Sequence, residues 1–243
     1  TRASIVPVSS TRRNMRVPVM SSPRYTAKFV PLNGFSQPAG ARRALMVPVA
    51  LPFGAAVARA RLDTDAQGAR LSGLQVVWRQ VPKVTGDGHY GHRLLFGRDG
   101  KLWISSSERQ KFTPAQDMRS NLGKIVRLND DGSVPSDNPF VSQGGVAAQV
   151  WSLGHRNVLG MGWDGQGRLW AHEMGPKGGD ELNLIEKGGN YGYPIVSNGD
   201  HYSGRVIPDH NTRPEFIAPK ISWTPVISPS SMLFYQGKQF PAW

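Results

Sequence analysis

An all-β chain built from four-stranded blades, a β-propeller, is the architecture this sequence predicts, and three observations predict it. Short runs alternate apolar with polar residues and close on turns rich in Gly and Asp, the period of a half-buried strand. The unit "DGKLW" at 99–103 returns almost unchanged as "QGRLW" at 166–170, 67 residues later, and near-copies of one turn and strand mark a repeat architecture. No stretch carries apolar residues at helical spacing over any useful length.

The elements come in order. "VARARLDTDAQGARLSGLQVVW" is two extended runs around an Asp/Gly turn, a hairpin signature. "HRLLFGRDGKLWISSS" is a second hairpin, closed by "RDG". "KIVRLNDDGSVP" repeats the scheme and "LGMGWDGQGRLWAHE" repeats it again. The spacing exceeds the ~40–50 residues of an ordinary blade, so long loops between strands are expected. A β-sandwich is the alternative, with shorter loops. Gly-rich loops ringing one end of a propeller are the natural place for chemistry.

The bulk numbers exclude several classes. None of the 243 residues is a cysteine, which rules out a disulfide scaffold, a thiolate metal site and cysteine catalysis. No apolar run approaches the ~20 residues of a membrane span. The chain opens on Thr1 without a charged-then-apolar leader, so an export signal is expected to be absent or already removed. The net charge of +12 is concentrated: residues 1 to 62 hold nine Arg, Lys28 and no Asp or Glu, against 19 basic and 17 acidic residues in the rest. Residues 1–54 also lack any sustained period. They read as an atypical basic segment, either a disordered extension or a stretch translated out of frame from a GC-rich gene. They show no nucleic-acid motif, so no nucleic-acid partner is expected.

Three constellations carry chemistry. In "GDGHYGHRLLF", His89 and His92 precede a strand, and Glu108 lies just past the return of the same hairpin. A carboxylate beside an imidazole fixes its tautomer and raises its basicity, as a general base requires. In "WSLGHRNVLGMGWD", Arg156 and Asn157 sit between a strand and a Gly turn, and the Arg fork suits a carboxylate or a developing oxyanion. In "HEMGPKGGDELNLIEKGGNYGYP", no second His stands four residues after His172 and Pro176 interrupts any helix, which excludes a zinc protease motif. Its glycines and prolines expose main-chain carbonyls close to Asp180 and Glu181, a hard oxygen set suited to Ca²⁺.

From about Ala55 to Trp243 the motifs "HYGHRLLFGRDGKLWIS", "GKIVRLNDDGSVPSDNPF", "SLGHRN", "EMGPKGGDELNLIEKGGNYGYP" and "SPSSMLFYQGKQFPAW" together resemble the soluble quinoprotein glucose dehydrogenases and aldose sugar dehydrogenases. These are six-bladed propellers that use pyrroloquinoline quinone (PQQ) and Ca²⁺. The resemblance implies oxidation of a sugar at its anomeric hydroxyl, electrons leaving to an external acceptor, and a periplasmic or secreted location. It implies that His89 is the general base, that Glu108 orients it, and that Arg156 and Asn157 lie beside the PQQ carbonyls with Gln110 as a further cofactor contact. Met174 takes a cofactor-facing position where the family often has His or Gln. The carbonyls of Gly175 and Pro176 match the ligands of the catalytic Ca²⁺, and Glu181 and Tyr191 those of a structural one. Position 92 is His where the family has a small residue, and "RNVLG" replaces "RNPQG". The resemblance fades before residue 55 and covers fewer than six blades, so an incomplete ring that binds PQQ weakly or not at all is expected. A frame error ending near Phe53–Gly54 would account for the lost resemblance and the missing acids together. A Ca²⁺-dependent propeller lactonase and a non-catalytic sugar- or calcium-binding propeller are the alternatives.

Overall fold

The computed structural model describes residues 28–29, 42–49, 53–66 and 68–240. The chain divides into two compact units, one within Val8–Thr85 and the other running from Gly86 to Trp243.

The first unit is one antiparallel sheet. Strands β1 (Lys28–Phe29), β2 (Arg42–Val49), β3 (Gly54–Asp65) and β4 (Gly68–Arg79) pair in sequence order. The β3–β4 hairpin is the Asp/Gly turn expected from sequence; Asp65 Oδ1 accepts the Gly68 N–H at 3.1 Å, closing it. Small residues fill the first half of β3, where Ala55, Ala56, Val57, Ala58 and Ala60 are buried, and Trp78 of β4 lies opposite Val57. The second half of the hairpin is polar and solvated. Of the basic segment 1–54, the described residues 28–29, 42–49 and 53–54 are extended strand or bridge; its other residues lie outside the described ones.

The second unit holds two four-stranded meanders. The first is β5 (Gly91–Phe96), β6 (Leu102–Ser106), β7 (Lys124–Leu128) and β8 (Val150–Leu153). The second is β9 (Val158–Trp163), β10 (Leu169–Glu173), β12 (Asp180–Leu184) and β14 (Ile221–Trp223). A ribbon of β11 (Lys177–Gly178) and β13 (Gly199–Asp200) interrupts it. Each meander is a propeller blade, with its strands side by side in chain order. The first strands, β5 and β9, pack against each other. Between the blades lies a core of Trp103, Ile125, Val158, Met161, Leu169, Ala171 and Tyr191, into which Trp151 and Trp163 also pack. Trp103 meets Trp151 and Trp163 edge-on, at 4.8 and 5.3 Å between ring centroids, the geometry ring quadrupoles prefer.

One turn recurs four times. Gly97 N–H donates to Lys101 O and Gly100 N–H back to Gly97 O; the same pair of bonds closes Asn129–Ser133, Asp164–Arg168 and His201–Arg205. In each copy the fourth residue is a glycine at positive φ, from 74° to 90°, the left-handed position such hairpin turns need. "KIVRLNDDGSVP" therefore forms its strand and its turn, but no hairpin results. The Asn138 side-chain amide donates to Arg127 O and Ala148 O at 2.9 Å, and residues 134–149 loop out before the chain returns as β8. Among the described residues there is no α-helix, only short 3₁₀ turns, and no helix long and apolar enough to cross a membrane.

Candidate functional site

Register brings six segments to one end of the two blades. The start of β5 pairs with the end of β6 (Gly91 with Ser106), Ser106 pairs with Lys124 at the start of β7, and Lys124 with Leu153 at the end of β8. At the same end, β9 begins and β10 ends (Val158 with Glu173). The loops leaving these strand ends enclose a cavity of about 270 Å³. His89, Glu108, Gln110, Phe112, Arg156, Met174, Gly175 and Asp180 line it, with Tyr202, Val226 and Ser228 also on the wall.

Two buried carboxylates organise this end. Glu108 binds His89 Nδ1 through Oε1 at 2.5 Å and accepts the Phe112 N–H through Oε2 at 2.8 Å. Burial alone would raise its pKa, but the His89 hydrogen bond, the Phe112 and Gln110 N–H groups and the imidazole charge outweigh it and hold the carboxyl below its ordinary value. With Nδ1 committed to Glu108, the ring nitrogen left for a substrate proton is Nε2. Glu173 does the corresponding work for the Arg156 loop. Its Oε2 accepts the Arg156 and Asn157 N–H groups at 2.5 and 3.2 Å, and its Oε1 accepts from His155 and Asn183 at 3.0 and 3.2 Å. His155 continues to Ser152 Oγ at 2.8 Å and stacks on Tyr191. Ser152, His155 and Glu173 thus have the connectivity of a hydrolase triad, but Ser152 and His155 have no exposed surface and line neither cavity, so the chain of bonds fixes the Arg156 loop instead.

The backbone here is strained. His89, Gln110, Phe112 and Ser228 line the cavity with φ between 49° and 61°, and Arg109 beside them has φ 59°; among the described residues these five are all the non-glycine residues with positive φ. Each costs about 1–3 kcal/mol and persists where the surroundings dictate it, which is typical of functional sites.

Arg156 lines this cavity and a second, smaller one of about 10 Å³. Its Nη1 donates to Met174 O and Gly175 O at 2.8 and 2.6 Å, so this pair of carbonyls already seats a positive group. Its Nε is buried without a partner. The smaller cavity is lined by Glu173, Gly175, Pro176, Glu181, Tyr191 and Tyr193, among others. Burial and the nearby Glu173 charge raise the Glu181 carboxyl. Asn183 Nδ2 bridges Glu173 and Glu181 at 3.2 Å each, while Asn183 Oδ1 is buried without a partner. Two buried carboxylates on its wall and room for about one water-sized species fit a cation.

Among the expected residues, His89, Glu108, Gln110, Arg156, Met174 and Gly175 line the larger cavity, and Pro176, Glu181 and Tyr191 the smaller. Asn157 lines neither; its N–H goes to Glu173, and its Oδ1 is buried without a partner. The Tyr191 hydroxyl is taken, donating to Leu184 O at 2.6 Å and accepting the Glu186 N–H at 2.9 Å, so only its main-chain oxygen is left for a metal. Asp180 is occupied as well, accepting the N–H groups of Gly175, Ile227 and Ser228. Among the described residues no three His, Asp or Glu side chains form a metal cluster, so a cation here depends on main-chain carbonyls. Residue-type reasoning overlooked Glu173, His155, Arg109 and Phe112. The first two stand inside quoted motifs, but only their three-dimensional bonding gives them a role.

The family described as Glucose / Sorbosone dehydrogenase is matched over residues 50–243. The aldose sugar dehydrogenase YliI of Escherichia coli (strain K12) is 40% identical over 195 residues, covering 78% of this chain and 52% of that protein. The crystal structure of the soluble aldose sugar dehydrogenase from Escherichia coli in the apo-form superposes with a TM-score of 0.77 at 36% identity, covering 83% of this chain and 59% of that one. The PQQ-bound form of aldose sugar dehydrogenase from Streptomyces coelicolor gives a TM-score of 0.60 at 32% identity, over 77% of this chain and 52% of that one. The chain spans about half the length of the curated relatives it matches.

Proposed function

We propose, proceeding from the fact that this chain belongs to the glucose/sorbosone dehydrogenase family, that its larger cavity oxidises an aldose at the anomeric carbon to the lactone. The observation that carries this reading is the His89–Glu108 pair, 2.5 Å apart on the cavity wall. Oxidation removes a hydride from the anomeric carbon and a proton from its hydroxyl. His89 Nε2 takes the proton, and Glu108 holds the ring in the required tautomer and stabilises the imidazolium that results. Bound PQQ would supply the hydride acceptor and Ca²⁺ the polarisation of its quinone oxygen. Arg156 and Gln110 would hold the anionic cofactor, with Met174 beside it and Asn157 supporting the Arg156 loop. Gly175 and Pro176 would present main-chain oxygens to the catalytic cation, and Glu181 and Tyr191 to a second one. The positive group already seated on the Gly175 carbonyl and the buried acids around the smaller cavity support that assignment. Turnover then requires an external electron acceptor, and we assign the reaction to the periplasm or the exterior.

The test is dye reduction by the full chain with an aldose, PQQ and CaCl₂, alongside His89→Ala. The expected result is sugar-dependent reduction that falls ~10²–10⁴-fold in the variant, the range of a lost general base. Equal rates in the two proteins would refute the assignment of His89. A PQQ-independent release of acid from a lactone would replace the dehydrogenase with a hydrolase.

A further inference from the structure

The proposed base stands on a loop that should not hold it still. Residues 86–90, "GDGHY", contain two glycines, and His89 is in the left-handed region at φ 49°. Among the described residues no regular strand pairs with the loop. One residue touches it four ways. Arg109 Nε donates to Gly88 O at 2.9 Å and Nη2 donates to Gly86 O. Its main-chain N–H donates to His89 O at 3.2 Å. Its guanidinium lies 3.6 Å from the centroid of the Tyr90 ring, a cation–π contact. Arg109 is buried and sits directly after Glu108, the residue that binds the imidazole. It also has φ 59°, a conformation that non-glycine residues avoid.

From this arrangement we propose that Arg109 is a positioning residue for the base: its fork pins the 86–90 loop so that His89 Nδ1 stays on Glu108 and Nε2 faces the cavity. Arg109 does not line the cavity and touches neither substrate nor cofactor; it acts through His89. A planar fork that reaches two carbonyls while stacking on a ring is a demand lysine cannot meet. Losing it frees the loop by about an ångström, enough to cost on the order of 10²-fold where a reacting group must be aligned. The inference rests on His89 being the base, so its test begins with a readout that needs no cofactor.

Full-length chain carrying ¹⁵N-histidine is compared as wild type, Arg109→Lys and Arg109→Met, with Arg127→Lys as control. Arg127 is a buried arginine tied to Asp99 and Asp137 and lines neither cavity. The wild type and the control are expected to show a strongly downfield Nδ1–H resonance from the His89–Glu108 bond, assigned by its absence in His89→Gln. Arg109→Lys is expected to lose it to exchange with water. With PQQ, Ca²⁺ and aldose, the same variant is expected to lose at least ~10-fold in kcat while KM stays within about 2-fold. A wild-type resonance and wild-type kcat in Arg109→Lys would overturn the inference, whether or not Arg109→Met folds. A resonance lost in Arg109→Lys, in a wild type that shows no PQQ-dependent turnover, would uphold the clamp and refute the dehydrogenase reading.

Discussion

Glu108 has two oxygens and two geometrically distinct donors to satisfy, the imidazole of His89 and the N–H of Phe112. Glutamine at this position has one acceptor and one donor. With its oxygen on the Phe112 N–H, its amide donates to Nδ1 and forces the ring into the Nε2–H tautomer, which cannot take a proton at Nε2. Glu108→Gln is therefore expected to exchange charge-assisted bonds for neutral ones, at about 1 kcal/mol in urea unfolding, and to lower sugar-dependent dye reduction by roughly 10–100-fold. The pH dependence has a definite sign. The folded carboxyl is held below its ordinary value of 4.5, so its contribution is complete above that value and disappears as acid titrates it through the lower folded pKa. Wild-type stability is expected to fall in that acidic window, and Glu108→Gln to lose that part of the slope; parallel curves would show that Glu108 is not responsible. At this scale His89, Glu108 and Arg156 were named from sequence through the motifs around them, and the structure puts all three on the wall of one cavity. Glu173 was not, because "HEMG" gives no sign that its carboxylate gathers four donors from two separate segments, residues 155–157 and Asn183.

Among the elements, the turns carry the most information and the loops between blades the least. Gly100, Gly132, Gly167 and Gly204 hold the same place in four copies of one turn, and the "DG" and "QG" signals pointed to three of them directly. Alternation found β3 to β6, β9 and β10, because those strands pair off as β3–β4, β5–β6 and β9–β10 through short turns. It misjudged the chain beyond β7, since Asn138 replaces the hairpin with side-chain bonds that no periodicity records. Two glycines with equal φ separate backbone strain from crowding. Gly154 and Gly167 both have φ 76°. A Cβ at Gly167 would meet nothing within 4 Å, whereas one at Gly154 would lie 2.3 Å from Asn190 Oδ1 and 2.5 Å from the Gly192 nitrogen. Gly154 also passes the chain from β8 into the Arg156 loop, and Asn190 is locked there by two bonds to Gln116. Gly167→Ala is expected to cost only the left-handed penalty, about 1–2 kcal/mol. Gly154→Ala is expected to exceed it clearly, because the main chain must move as well. Urea midpoints that agree within error would mean the β8 exit is looser than the Asn190 contacts imply.

For the molecule as a whole, the question is what balances the acids enclosed in the second unit. Glu173 and Glu181 are both buried, and one amide nitrogen, from Asn183, serves them both at 3.2 Å. His155 compensates Glu173 through a direct bond at 3.0 Å. Among the described residues the basic group beside Glu181 is His210, at 3.5 Å, and burial together with the Glu173 charge raises its carboxyl. A site with surplus buried negative charge is a poor resting state and a good one for a hard cation. A cation bound by the folded chain and not by the unfolded one stabilises it by mass action, about 2.7 kcal/mol at a hundred times its Kd. Calcium is therefore expected to raise the Tm in a concentration-dependent way, EDTA to reverse it, and magnesium to do less because it resists giving up its waters. Glu181→Gln separates this from general ionic effects. It removes the charge that attracts the ion and also the repulsion with Glu173, so the cation-free variant is expected to be at least as stable as the wild type while losing most of the calcium response. A variant that kept the full calcium-induced rise in Tm would move the cation away from the smaller cavity and leave the Gly175 carbonyl, now held by Arg156, as the place to look.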